Sequence, residues 1–287
     1  MRLVSKKASC EDVGDMTLSF SSRVVIFLFI TVSSFTLSST KQPRVITSSP
    51  AMTELVFQLG HGNNLVAVSN FSNYPDEARD LPRIGMLFSP NIEAILRFSP
   101  DLILIDGNTT PDSISAPLKK MGITLKEITI TTVEDLFSRA ADIAFEIFKD
   151  TDSPTLLEMK HFYAQKIQNH PKKSFSYLIT AWNSPITLVG HSTFLSDLLK
   201  QYGGQNISPS QLKAPYPQVS FEWLIKHPPD VLFSLTRNQD EIENLKSEAR
   251  KWWPNHPVKV VSLSADDFAR TSFTPLKILP AIMEQIP

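Results

Sequence analysis

The clearest signal in this chain is a pattern of polar and apolar positions that occurs twice. The first copy runs Asn91-Ile92-Glu93-Ala94-Ile95-Leu96-Arg97-Phe98-Ser99-Pro100-Asp101-Leu102-Ile103-Leu104. The second runs Ser220-Phe221-Glu222-Trp223-Leu224-Ile225-Lys226-His227-Pro228-Pro229-Asp230-Val231-Leu232-Phe233. Each predicts a short helix feeding a buried strand. Asn91 and Ser220 are N-cap residues, Glu93 and Glu222 fall in the first turn where the helix dipole favours a carboxylate, and Pro100 and Pro229 stop the helix before an apolar run.

A second echo supports the first. Glu54-Leu55-Val56-Phe57-Gln58-Leu59-Gly60 matches Asp197-Leu198-Leu199-Lys200-Gln201-Tyr202-Gly203, an apolar helical face closed by glycine. Upstream lie the β-rich runs Arg44-Val45-Ile46-Thr47 and Ser176-Tyr177-Leu178-Ile179-Thr180. Each half therefore predicts strand, helix, strand, helix, strand in one order, which implies two Rossmann-like α/β lobes with parallel sheets. Between them the period becomes helical. Val133, Leu136, Phe137, Ala140, Ala144, Ile147 and Phe148 form one face after Thr132, and Ser153-Pro154 opens a second helix reaching His170-Pro171. The expected lobes span residues 43–131 and 172–287, tied by helices over 132–171. A rigid helical linker of this kind predicts that the lobes hinge little.

The N-terminus does not fit this pattern. After Arg23 comes the apolar run Val24 to Val32, then the small and polar stretch Ser33 to Thr40, the layout of a secretory signal over residues 1–40. The apolar run is short for a membrane span, although a permanent N-terminal anchor is the alternative reading. Met16 would begin a more ordinary signal and is a candidate for the true start. The sole cysteine, Cys10, precedes the apolar run, so it is not placed for the lipid attachment that follows a lipoprotein signal, and no disulfide framework is expected. Export into a periplasm is the expectation.

Composition narrows the function. The chain of 287 residues is 42% hydrophobic, enough for a sizeable core, and its 28 basic and 29 acidic residues give a formal net charge of −1. That balance lacks the basic bias which tracks nucleic-acid phosphates. The chain carries no phosphate-binding loop, no Gly-x-Gly-x-x-Gly and no His-Glu-x-x-His among its six histidines. Gly190-His191-Ser192-Thr193-Phe194 begins like a nucleophile elbow, but Phe194 stands where glycine is required, and Ser192 is expected to cap the next helix. Binding thus fits better than catalysis.

In open parallel α/β sheets, ligands bind beyond the carboxyl ends of the strands. The segments expected there are Ser49-Pro50-Ala51, Phe71 to Tyr74, Met86-Leu87-Phe88, Trp182 to Pro185, Pro215-Tyr216-Pro217 and Asp266 to Arg270. Their aromatic faces suit a large planar ligand, ring packing adding about 0.5 to 1.5 kcal/mol beyond area burial. Core packing is the competing role for each aromatic, most evenly for Trp182.

These residues also carry a family resemblance. Arg44 to Leu55, Phe71-Ser72-Asn73-Tyr74-Pro75 and Ala214-Pro215-Tyr216-Pro217-Gln218-Val219-Ser220-Phe221-Glu222 resemble the opening strand and helix, the first binding loop and the second-lobe loop of the periplasmic cobalamin-binding proteins of ABC importers. The wider class also binds haem and iron siderophores, and the likeness extends from about residue 43 nearly to the C-terminus. The resemblance implies a monomer that is not an enzyme, holds no cofactor of its own and carries cobalamin or another corrinoid as transported ligand. It implies that the partners are that corrinoid and the importer's membrane permease subunits, which an exposed glutamate on each lobe engages. Glu93 and Glu222 stand at those positions, where complementing the helix dipoles is the simpler role.

The ligand positions it implies are Pro50, Ala51, Phe71, Tyr74, Leu87, Phe88, Trp182, Tyr216, Asp266, Asp267, Phe268 and Arg270, with no metal site. The chain departs from the family pattern at several of them. Tyr216 replaces a tryptophan, Leu87 falls where the cobalamin binders tend to have one, and Asp267 stands in place of an aromatic. Asp266 and Arg270 equally fit a structural ion pair. Haem is the nearest rival ligand and needs an axial Tyr or His; residues 83 to 92 contain neither, though haem-binding relatives tend to place a tyrosine there. A ferric siderophore calls for a basic rim, where only Arg270 is evident, and an envelope enzyme on the same fold is the reading from another class.

Overall fold

The computed structural model describes residues 42–86, 89–107, 112–170, 173–236 and 238–286. The signal-like segment, Leu87 and Phe88 lie outside them. In chain order the first elements are β1 (Val45–Thr47), α1 (Pro50–Gln58), β2 (Leu65–Val68), β3 (Gly85–Met86), β4 (Ser89–Pro90), α2 (Ile92–Arg97), β5 (Leu102–Asp106), α3 (Asp112–Lys120) and β6 (Leu125–Ile128). Then come α4 (Val133–Asp142), a π turn (Ile143–Ile147) and α5 (Pro154–Asn169). The remainder is β7 (Phe175–Asn183), β8 (Ile186–Leu188), α6 (Phe194–Gln201), β9 (Gly204–Asn206), α7 (Phe221–Lys226), β10 (Val231–Thr236), α8 (Gln239–Trp252), β11 (Lys259–Ser264), α9 (Ala265–Phe268) and α10 (Thr274–Met283).

These elements form two lobes. The first sheet has the order β2-β1-β5-β6, all parallel. The second has the order β11-β10-β7, with β9 parallel to the start of β7 and β8 antiparallel to its end. Apart from β8, both are the parallel sheets expected. The repeat is visible in detail: the Asn91 and Ser220 side chains accept from the backbone N–H of Ala94 and Trp223, and both helices lead into the central strands β5 and β10. Gly60 and Gly203 close α1 and α6 at φ +83° and +89°, a conformation that disfavours any side chain.

Alternation along the strands sorts the core into three. Val45, Leu102, Leu104, Tyr177, Ile179, Val231 and Phe233 face one continuous cluster, which also contains Leu136 and Ala140 of α4, Leu156 and Met159 of α5, and Leu276 and Leu279 of α10. The intervening residues Ile46, Ile103 and Ile105 face α2 and α3 in one lobe, while Leu178 and Leu232 face α7 and α8 in the other. The shared core therefore runs through the helical tie. Thr132 and Asp135 form a capping box at the head of α4, and the Asp197 carboxylate of α6 accepts from the Val133 N–H at 2.9 Å. His61 stacks on Phe148 with ring centroids 4.1 Å apart and approaches Asp150 at 3.3 Å. The apolar face expected from Val133 to Phe148 forms, with Val133, Leu136 and Ala140 inside the shared cluster, Phe137, Ile147 and Phe148 packed against it and Ala144 buried, and the π turn adds Ile143.

The repeat also clamps the strand starts. Asp101 accepts from the Arg44 N–H at 2.8 Å, and Asp230 accepts from the Ser176 N–H at 2.7 Å and the Ser176 hydroxyl at 2.8 Å. Those bonds from Ser176, with nearby His256, hold the Asp230 carboxyl below the usual range against the opposing effect of burial. A depressed carboxylate pKa stabilises the fold above its unfolded value and loses that contribution as pH falls through the folded value. Asp230→Ala is expected to cost about 1 kcal/mol at neutral pH, reduced for solvent exposure. The deficit should shrink once the pH drops below the ordinary Asp value of about 3.9. Urea midpoints of both proteins across that range check this.

Candidate ligand-binding cleft

Four of the six expected rim segments follow or form the carboxyl end of a strand in the two main sheets, whereas Met86 lies in the β3–β4 hairpin and Pro215 to Pro217 lie just before α7. Ser48 to Ala51 follow β1, Phe71 to Tyr74 follow β2, Trp182 and Asn183 end β7, and Asp266 to Arg270 follow β11. Local bonds make these loops stiff. Ser49 caps α1 by accepting from the Met52 N–H, and its hydroxyl donates to the buried Asp106 carboxylate at 3.1 Å. Hydroxyls of Thr47, Thr53, Ser72 and Ser69 form a chain with spacings of 2.7, 2.8 and 2.8 Å, while Arg83 donates to the carbonyls of Ser69 and Ser72. Pinned in this way, the loop presents its aromatics outward. In the other lobe, the segment around Tyr216 runs beside β8, with Leu188 N–H bonding Pro217 O and Val219 N–H bonding Ile186 O. Gly190 is required there, because a Cβ would lie 2.5 Å from Ala214 O.

Phe71, Tyr74, Trp182 and Tyr216 are 56, 47, 63 and 52% exposed. Leaving one large apolar side chain in water forgoes about 1.5 to 3 kcal/mol, so four at the strand ends indicate a surface built to be covered. For Trp182 this decides between core and rim in favour of the rim. A cross-lobe contact brings the rims together. The Arg270 guanidinium lies 5.8 Å from the Tyr74 ring centroid. The Tyr216 pKa is raised, first by desolvation of its hydroxyl end and then by the charge of the Asp106 carboxylate, although the side chain as a whole is half exposed.

Not every expected position lies on the rim. Phe268 is 3% exposed and packs in the shared core, as does Ala51, because the inward faces of α9 and α1 carry them. Pro50 and Asp267 are partly buried, and Asp266 is exposed. Arg270 pairs with Asp266 at 3.5 Å, as one sequence reading expected, and with Glu54 at 3.2 Å, which sequence reasoning missed. Ser192 does not cap α6. Thr193 does, its extended backbone letting the hydroxyl accept from Ser196 N–H while donating to Gly190 O.

The two repeated glutamates occupy like places. Glu93 and Glu222 are exposed in the first turns of α2 and α7, and Glu222 forms a 2.7 Å pair with Lys226. Helices that precede parallel strands run against them, so both carboxylates sit on the side of the sheets to which the strand ends point.

Two α/β lobes of like topology, with aromatic and charged side chains converging at their strand ends, define a two-lobed ligand-binding protein. The chain belongs to the periplasmic binding protein family, whose model matches residues 45–252. It is 29% identical over 253 residues to a vitamin B12-binding protein of Yersinia pestis, covering 84% of this chain and 85% of that one. A vitamin B12-binding protein of Vibrio parahaemolyticus is 28% identical over 216 residues, covering 74% and 78%. Among solved structures, the periplasmic vitamin B12-binding protein BtuF of Vibrio cholerae superposes with a TM-score of 0.68 at 25% identity, over 85% of this chain and 94% of that one. The periplasmic haem-binding protein HutB of Vibrio cholerae shares the fold, with a TM-score of 0.69 at 20% identity over 85% and 98%.

Proposed function

We propose that the chain is a periplasmic solute-binding protein that captures cobalamin or a related corrinoid between its lobes and delivers it to an ABC importer. The observation that carries this reading is the set of four exposed aromatics at the strand ends, two on each lobe, with Arg270 beside Tyr74. Flat faces suit a corrin ring, and the guanidinium suits the amide oxygens at its edge. The B12-binding relatives support the same ligand. Residues 1–40 act as the export signal, residues 43–131 and 172–287 are the lobes, and 132–171 is their tie. The protein works as a monomer without nucleic acid, and Glu93 and Glu222 dock it to the permease subunits.

Haem is the second reading, favoured by the shared fold of the haem binders. It requires an axial donor, and a tyrosine serves iron as phenolate. Tyr74 and Tyr216, both half exposed on the rim, are the tyrosines that would have to serve. Calorimetric titration of the mature chain with cyanocobalamin and haemin in parallel separates the two. Saturable one-to-one binding of cyanocobalamin is expected. Binding of haemin alone would replace the ligand and keep the docking role, while silence with both would remove the corrinoid and haem readings together.

A further inference from the structure

Glu54 lies in α1 of the first lobe and is 1% exposed. An isolated carboxylate so placed would cost several kcal/mol, so its partners define what it does. One oxygen accepts from Ser272 Oγ at 2.7 Å, from Gln58 Nε2 at 3.0 Å and from the Thr274 hydroxyl. The other meets Arg270 Nη1 at 3.2 Å. Gln58 also donates to Thr274 Oγ1 at 2.9 Å and accepts from Phe273 N–H at 2.9 Å. A single carboxylate of one lobe thus gathers the segment 270–274 of the other.

The consequence falls on Arg270, whose side chain is 15% exposed. A guanidinium offers five N–H donors in a rigid fork, so fixing one nitrogen sets the direction of all. With Nη1 on Glu54 and Nη2 at 3.5 Å from Asp266, the plane is held 5.8 Å from the Tyr74 ring. Asp266 is exposed and on the same short stretch of chain, whereas Glu54 is buried and belongs to the opposite lobe. The buried carboxylate is therefore the fixed reference.

We propose that Glu54 is a positioning residue of the ligand cleft, a carboxylate of the first lobe that holds the Arg270 guanidinium of the second in the pose that meets the ligand's polar edge. This rests on the corrinoid reading for the ligand but not for the geometry, and the test has one arm for each. Glu54→Gln keeps the shape and can still accept from Ser272 and Thr274, but removes the charge that orders Arg270. Phenylglyoxal modification, followed by mass spectrometry of the peptide containing Arg270 without any ligand, is expected to run about tenfold faster in the variant, with Arg79 as the exposed internal control. Cyanocobalamin affinity is expected to fall about tenfold, and Glu54→Gln should cost less than about twofold more in an Arg270→Ala background. An unchanged modification rate, unchanged affinity or additive losses would overturn the proposal. If the wild type does not bind cyanocobalamin, the corrinoid reading fails, and the modification rates alone decide the positioning. Should Glu54→Gln not fold, Glu54→Asp, which withdraws the charge by one methylene, carries the same expectations.

Discussion

Reversing both repeated glutamates, in a Glu93→Arg, Glu222→Arg double variant, is expected to abolish stimulation of the proposed importer's ATPase in reconstituted vesicles while leaving cyanocobalamin affinity unchanged. Both side chains are exposed, so reversal leaves the core intact. The local cost is small, since losing a favourable charge at a helix N-terminus is worth about 0.3 to 1 kcal/mol. At the proposed docking interface the effect would be far larger, because each reversal would replace a charge-assisted pair with a like-charge contact. Single reversals should reduce stimulation without removing it, as the two sites are alike and separate. Stimulation that survives the double reversal would leave the carboxylates only the complementing of their helix dipoles.

Phe273→Ala is expected to destabilise the protein by about 3 to 5 kcal/mol, the range for deleting a buried phenylalanine. Phe273 is fully buried, its ring lies 5.7 Å from that of Phe137 on α4, and its N–H bonds to Gln58 on α1. It thus joins both lobes and their tie, so the lost contacts fall on one shared core. All four tryptophans, Trp182, Trp223, Trp252 and Trp253, belong to the second lobe. Tryptophan fluorescence therefore follows that lobe, while far-ultraviolet circular dichroism follows the whole chain. Coincident urea transitions are expected for both proteins, shifted to lower urea in the variant. Separate transitions would show that the lobes unfold independently.

Local features were legible where the residue and its partner are close in sequence. The caps Asn91 and Ser220, the glycine stops at Gly60 and Gly203, and the paired helix and strand elements all depend on spacings of a few residues. The exposed aromatics were legible for a related reason, since proline neighbours placed Tyr74 and Tyr216 in loops. What escaped needs contacts across the chain. Nothing near Glu54 announces Arg270, which lies 216 residues away, and nothing near Arg83 announces the carbonyls it gathers. The exchange of Ser192 for Thr193 as cap is a matter of one residue's backbone angles. Phe268 and Ala51 turn inward because short helices at the strand ends carry a buried face as well as a rim.

The shared core also sets an order of events for a new chain. Leu276, Leu279 and Met283 of α10 complete a cluster begun by Val45, Met52 and Leu55. Helix α10 is thus part of the packing of the first lobe, which remains unfinished until residues 276–283 have joined it. A cut that removes α10 therefore loosens the opposite lobe as well as its own, because the two share one interior.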